Sequence, residues 1–164
     1  MDVSTEIQQK TSDFLLHLYH LYQPPHQSDD WIFLIADQCY RPLSRWLAQN
    51  NFPVAINISY SLIKHLRRLR LEDIIENLGE AAEKGTIEFT GSAAYHPILP
   101  LLLSHKGGES EVKRQIELND RLNREVFGNV WKPALPQNCH LPQKSLFCLK
   151  SQSSAPIVSL KADL

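Results

Sequence analysis

Residues 85–100 read GTIEFTGSAAYHPILP, and this stretch decides the fold. Thr86-Ile87-Glu88-Phe89 is a short β-type run behind Gly85, a helix stop. Gly91-Ser92-Ala93-Ala94 follows as a turn of small residues. Tyr95-His96-Pro97 then brings a phenol and an imidazole to the point where the strand ends. In α/β folds ligands gather at the carboxyl ends of strands, and a carboxylate in the strand (Glu88) with a histidine beyond it (His96) suits that geometry. Locally, the same residues also suit an ordinary strand with an outward Glu88 and a surface His96.

Upstream of Gly85, residues Leu71 to Lys84 carry Ile74, Ile75, Leu78, Ala81 and Ala82 on one helical face. Before them, Ser61 suits a helix cap for Leu62, Ile63, Leu66 and Leu69, whose other face holds Lys64, Arg67, Arg68 and Arg70. That basic face reads as a phosphate patch or, more commonly, as a solvated helix surface. Val54 to Ile58 reads as a strand that places Asn57 near its end, facing a cleft or capping a turn. Ser28-Asp29-Asp30 is a cap signal for a helical segment from Trp31, with a break expected at Arg41-Pro42. Phe14 to Tyr22, FLLHLYHLY, is an apolar run short enough for a strand buried on both faces. It stops at Gln23-Pro24-Pro25, where prolines forbid further ladder. Alternation along a strand puts His20 and Tyr22 on one face, as a binding pair or as packed core.

Downstream, Leu99 to Leu103 suits a short helix or lid, and Glu109 to Phe127 a long amphipathic helix. The order is strand, helix, strand, helices, strand, helix, which predicts an α/β fold with parallel strands alternating with helices. All three strand ends then share one rim, gathering His20, Tyr22, Gln23, Asn57, Glu88 and His96. Three strands are too few to close a barrel, so the expectation is a partial barrel or a small open sheet.

Composition bounds the function. The chain has 164 residues, 43% hydrophobic and 21% charged, with a formal net charge of −1. This suits one globular domain and gives no sign of a nucleic-acid partner. No apolar run approaches the roughly 20 residues of a membrane span. The amino terminus is polar and mixed in charge, unlike a secretory signal. Cys39, Cys139 and Cys148 form neither a disulfide framework nor a metal-ligand spacing, so neither metal nor cofactor is expected and a cytoplasmic location is.

A family resemblance rests on three stretches. HLYQPP at His20 to Pro25 resembles the first motif of glycoside hydrolase family 57, usually His-x-His-Gln-Pro, with Tyr22 in place of the second histidine. TIEFTGSAAYHPILPLL at Thr86 to Leu102 resembles the second motif, and QIELN at Gln115 to Asn119 the helix leading to the third. The resemblance implies retaining enzymes of α-glucans on a (β/α)7-type barrel, here a partial one. It implies a Glu nucleophile in the third motif and an Asp acid/base in the fourth, roughly 5 Å apart. Carried across, His20 and Glu88 would contact sugar hydroxyls, Tyr22 would bond or stack, and Gln23 and His96 would shape the pocket. The implied partner is an α-glucan or maltooligosaccharide.

The third motif's Pro-Glu is absent. From Pro133 to Leu164 the sole acidic residue is Asp163, and the tail has no helical period. A shift of reading frame would account for it. Back-translated and read two bases further on, Ala134 to Ser145 gives, with ordinary codons, a run containing Pro-Ser-Pro-Glu. The expected organisation is therefore an extension over 1–12, the front of a barrel over 13–131 and an irregular tail over 132–164. The expected function is the N-terminal part of a glycoside hydrolase or glucanotransferase, inactive alone, with a second chain as one way to complete the barrel. The alternatives are a non-catalytic glucan-binding or interaction module, a metal-dependent polysaccharide deacetylase, for which only Asp29-Asp30 speaks, and a product without function.

Overall fold

The computed structural model describes residues 17–131. Their centre is β2 (Val54–Ile58), buried along its whole length because strands pair with it on both sides. β1 (Leu18–Leu21) and β3 (Ile87–Thr90) flank it, and both pairings are parallel. The register aligns Leu18, Ala55 and Glu88 in one row and His20, Asn57 and Thr90 in the next. Partners in a row point the same way, so one sheet face carries Leu18, His20, Ala55, Asn57, Glu88 and Thr90. The opposite face carries Leu21, Ile56, Ile58, Ile87 and Phe89, all buried in the main core.

Helices cover that apolar face. α1 (Asp29–Ile35) runs through a π-helical turn (Ala36–Tyr40) into α2 (Arg41–Gln49). Pro42 follows this π turn within a continuous helical path, so the expected break is a π turn that accommodates the proline, with helix on both sides. α3 (Tyr60–Arg68) and α4 (Glu72–Glu83) connect β2 to β3. α2 packs along α4, and the Arg41 Nε donates to Asp73 Oδ2 at 2.6 Å across the seam. Gly85 ends α4 with φ +76°, a backbone that L side chains resist. After β3 come α5 (Leu99–Leu103) and α6 (Gly108–Phe127), then a 3₁₀ turn (Gly128–Val130). Gly108 must be glycine, because a Cβ there would collide with the Leu102 carbonyl. Trp131, 1% exposed, closes the core against Phe89 and Phe127. Each large side chain so buried contributes about 1.5–3 kcal/mol.

Three expectations need correction. The run expected as a strand buried on both faces has Leu18, Tyr19 and His20 exposed and Leu21 alone buried within β1. Its first residues, 14–16, lie outside the described part. The reason is position: β1 has β2 as its one strand partner among the described residues. Ser59, rather than Ser61, caps α3, its Oγ accepting from the Leu62 N–H at 3.3 Å. Ser28 occupies the cap position of α1 without a side-chain cap bond. The tail over 132–164, with Cys139 and Cys148, lies outside the described residues, as does the 1–12 extension.

Candidate functional site

Parallel strands put their carboxyl ends together, and the rim of this sheet holds an aromatic and imidazole cluster. His20 leaves β1 there, followed at one strand repeat by Tyr22. The two rings stack at 6.0 Å between centroids with 14° between planes. His96 comes from the loop after β3 and meets both, at 4.5 Å from His20 and 5.3 Å from Tyr22. His96 has φ +54°, in the left-handed region that few non-glycine residues occupy. The loop that carries it is pinned on two sides. Ser61 N–H on α3 donates to the Ala94 carbonyl at 3.3 Å. The Gln115 carbonyl on α6 accepts from Ala94 N–H at 3.0 Å, and Gln115 Oε1 accepts from Tyr95 N–H at 3.2 Å. A backbone conformation of this kind persists where surrounding bonds over-determine it.

Under the cluster runs a chain of polar side chains. His20 Nδ1 lies 2.7 Å from Asn57 Oδ1, and Asn57 Nδ2 donates to the Thr90 carbonyl at 2.9 Å. Part of the His20 ring is open to solvent, yet the protein around it dominates its titration. Desolvation holds its pKa below the ordinary value, the Asn57 bond opposes this, and His96 adds to the lowering.

The other expected site residues lie at varying distances from this cluster. Gln23 turns to the helices, where its Nε2 donates to the Tyr40 hydroxyl at 2.8 Å, and that hydroxyl donates to the Tyr22 carbonyl at 3.1 Å. Ser61 Oγ donates to the Gln23 carbonyl at 2.7 Å, and His65 Nε2 contacts the Pro24 carbonyl at 2.9 Å. Gln23 therefore fixes the exit of β1. Glu88 is exposed on the same sheet face as His20, in the register row nearer the amino ends of the strands. Asn57 does face the rim. Thr90, Tyr40 and Gln115 were not anticipated. Alternation from Glu88 would have found Thr90, whereas Tyr40 and Gln115 carry no local signal.

Two of the four basic residues on this face, Arg67 and Arg68 of α3, are ion-paired. Arg67 pairs with Glu125 at 2.6 Å, and Arg68 makes a two-pronged pair with Asp29. Arg67, Arg68 and Glu125, with Lys64 and Arg121, line a groove of about 730 Å³ between α3 and α6, beside Tyr60 and Tyr95. Among the described residues no three His, Cys, Asp or Glu side chains are grouped to hold a metal ion, and no helix is long and apolar enough to cross a membrane.

Residues 7–143 match the model of glycosyl hydrolase family 57. Alpha-amylase 1 of Dictyoglomus thermophilum is 28% identical over 122 residues, which are 71% of this chain and 18% of that protein. The crystal structure of 4-alpha-glucanotransferase from Thermococcus litoralis aligns with a TM-score of 0.65 at 19% identity, over 80% of this chain and 20% of the other. At that identity the alignment establishes the fold, a partial α/β barrel. The chain thus spans about a fifth of the length of these relatives.

Proposed function

We propose, from the premise that this chain belongs to glycosyl hydrolase family 57, that it supplies the sugar-gripping front of an α-glucan-active barrel. One observation carries the reading. His20, Tyr22 and His96 converge at the carboxyl ends of parallel strands, on the sheet face that also holds Glu88. Imidazole and phenol rings offer flat apolar faces with polar edges, which is what a pyranose ring with its hydroxyls needs. Glu88 adds an acceptor for hydroxyl groups. Gln23 acts indirectly, through Tyr40, by holding the exit of β1.

Hydrolysis with retention needs two carboxyl groups roughly 5 Å apart across the glycosidic bond. The described rim offers Glu88 alone, one row below the imidazoles. Binding without bond cleavage is therefore the activity of this chain, and catalysis belongs to further strands. Those strands have somewhere to go: β1 and β3 each keep one edge without a strand partner among the described residues. Further polypeptide, on the same or a second chain, completes the barrel there. The free thiol of Cys39 suits a cytoplasmic setting.

Calorimetric titration of the full chain with maltooligosaccharides tests this. Weak binding, lost in His20→Ala, without release of reducing sugar is expected. No binding, or turnover by the purified chain, would overturn it. A binding module that never takes part in catalysis is separated by adding the later part of a family member. Restored turnover marks the catalytic reading, and its absence marks the module.

A further inference from the structure

Asn57 is 2% exposed in the middle strand, between an exposed histidine and the end of β3. Its Nδ2 lies 2.9 Å from the Thr90 carbonyl, 3.1 Å from Thr90 Oγ1 and 3.3 Å from the Gly91 carbonyl. Carbonyl oxygens only accept hydrogen bonds. The amide nitrogen must therefore face β3, and the carboxamide oxygen must face β1. There it meets His20 Nδ1 at 2.7 Å. That oxygen also only accepts, so Nδ1 carries the proton. In a neutral imidazole the lone pair then resides on Nε2. The described residues give Nε2 no hydrogen-bond partner.

We propose that Asn57, oriented by the carbonyls of Thr90 and Gly91, is a positioning residue that locks His20 in the Nδ1–H tautomer and so makes Nε2 an acceptor for a ligand hydroxyl. The ligand part rests on the glucan reading above, and the tautomer part does not. In water the opposite tautomer, with the proton on Nε2, predominates for a free histidine, so the protein has to impose this one. Burial keeps the ring neutral, and the Asn57 oxygen then chooses which nitrogen holds the proton. A protonated Nε2 would offer a donor, which a ligand hydroxyl can only accept, so the lock fixes the direction in which that hydroxyl bonds. Asn57 thus sets the polarity of the contact without touching the ligand. Because its other partners begin the loop that carries His96, one carboxamide ties together the two chain segments that deliver both imidazoles.

The test is a two-bond proton–nitrogen correlation spectrum of the full chain with labelled histidine, His20 being assigned through His20→Gln. At neutral pH the wild type is expected to show His20 as the Nδ1–H tautomer. In Asn57→Leu the Nε2–H form should predominate, and maltooligosaccharide affinity should fall severalfold, because the ring loses the bond that orients it and the ligand hydroxyl must reverse its direction. Asn57→Asp keeps an acceptor toward His20 and should retain the Nδ1 proton, at a cost in stability because its second oxygen faces the Thr90 and Gly91 carbonyls. A wild-type His20 already in the Nε2–H form overturns the proposal, and needs no variant to fold. So does an unchanged tautomer in Asn57→Leu accompanied by lost stability alone, which is the pattern of a merely structural residue. The expected tautomer with no response of the wild type to glucan supports the locking and counts against the glucan reading.

Discussion

The imidazoles of His20 and His96 lie 4.5 Å apart between centroids, although the whole of β2 and its helices separates them in the chain. Nearby, Tyr22 is in ring contact with both and Asn57 bonds to His20. His20 titrates below its ordinary value, mainly through desolvation. The unfolded chain therefore binds this proton more readily than the native one. The contribution to stability is complete above the unfolded value of about 6.5 and is lost as pH falls through the lower native value. Urea midpoints between pH 7 and pH 5 should fall more steeply for the wild type than for His20→Gln. Parallel curves would refute the assignment.

Glu88 is exposed on the sheet face that holds His20. Glu88→Gln keeps the shape and removes the charge. Its effect on folding should stay within about 0.5 kcal/mol, as for most surface changes. Maltooligosaccharide binding should be lost or nearly so, because hydroxyl donors bind a carboxylate more strongly than a neutral amide. Titration of both proteins under one buffer checks this, and equal affinities would remove Glu88 from the site.

Tyr40 is 6% exposed, and its hydroxyl joins Gln23 to the Tyr22 carbonyl. Tyr40→Phe should cost about 1 kcal/mol, since two part-buried hydrogen bonds are lost while their partners keep access to water. It should also weaken glucan binding by loosening the exit of β1. A stability loss with unaltered binding would show that the strand exit is held by Ser61 and His65 without Tyr40.

Trp131 packs on Phe89 at 5.3 Å and donates from Nε1 to Asp120 Oδ1 at 2.7 Å. Trp131→Ala should cost about 3–5 kcal/mol, enough to unfold a domain of marginal stability. Trp131→Phe restores much of the packing and should cost about 1 kcal/mol for the lost bond. Chemical denaturation of both variants measures the difference. Equal losses would mean that the hydrogen bond, and not the ring, closes the core.

Ile98, Leu101 and Trp31 are 70%, 57% and 55% exposed. With two strand edges that lack a strand partner among the described residues, they make self-association the expected behaviour of the isolated chain. Light scattering should rise with protein concentration, and Trp31→Lys with Ile98→Lys should reduce it. Scattering that ignores both concentration and these substitutions would count against an uncovered surface.

Much of this molecule was legible in residue order. Gly85, the β-type run after it and the Tyr-His-Pro turn gave β3 and its loop. Proline at 42 gave the break between α1 and α2, and the motifs around His20 and Glu88 pointed to family 57. Strand alternation alone put His20 and Tyr22 on one side. These features are local, set by backbone sterics and by the spacing of apolar residues, and they survive without knowledge of distant partners.

Other properties required the fold. The exposure of β1 goes with having one strand partner among the described residues, which its apolar sequence does not announce. Gln23 reads as a site residue, and only tertiary packing shows that its Nε2 bonds to the Tyr40 hydroxyl. Asn57 could face a cleft or cap a turn, and only the register decides that its oxygen meets His20 while its nitrogen meets Thr90. The sequence by itself determined which segments become parallel strands and which chemical groups reach their ends. The tertiary structure decided which of those groups meet, because hydrogen-bond direction and register are relations between segments that no single segment contains.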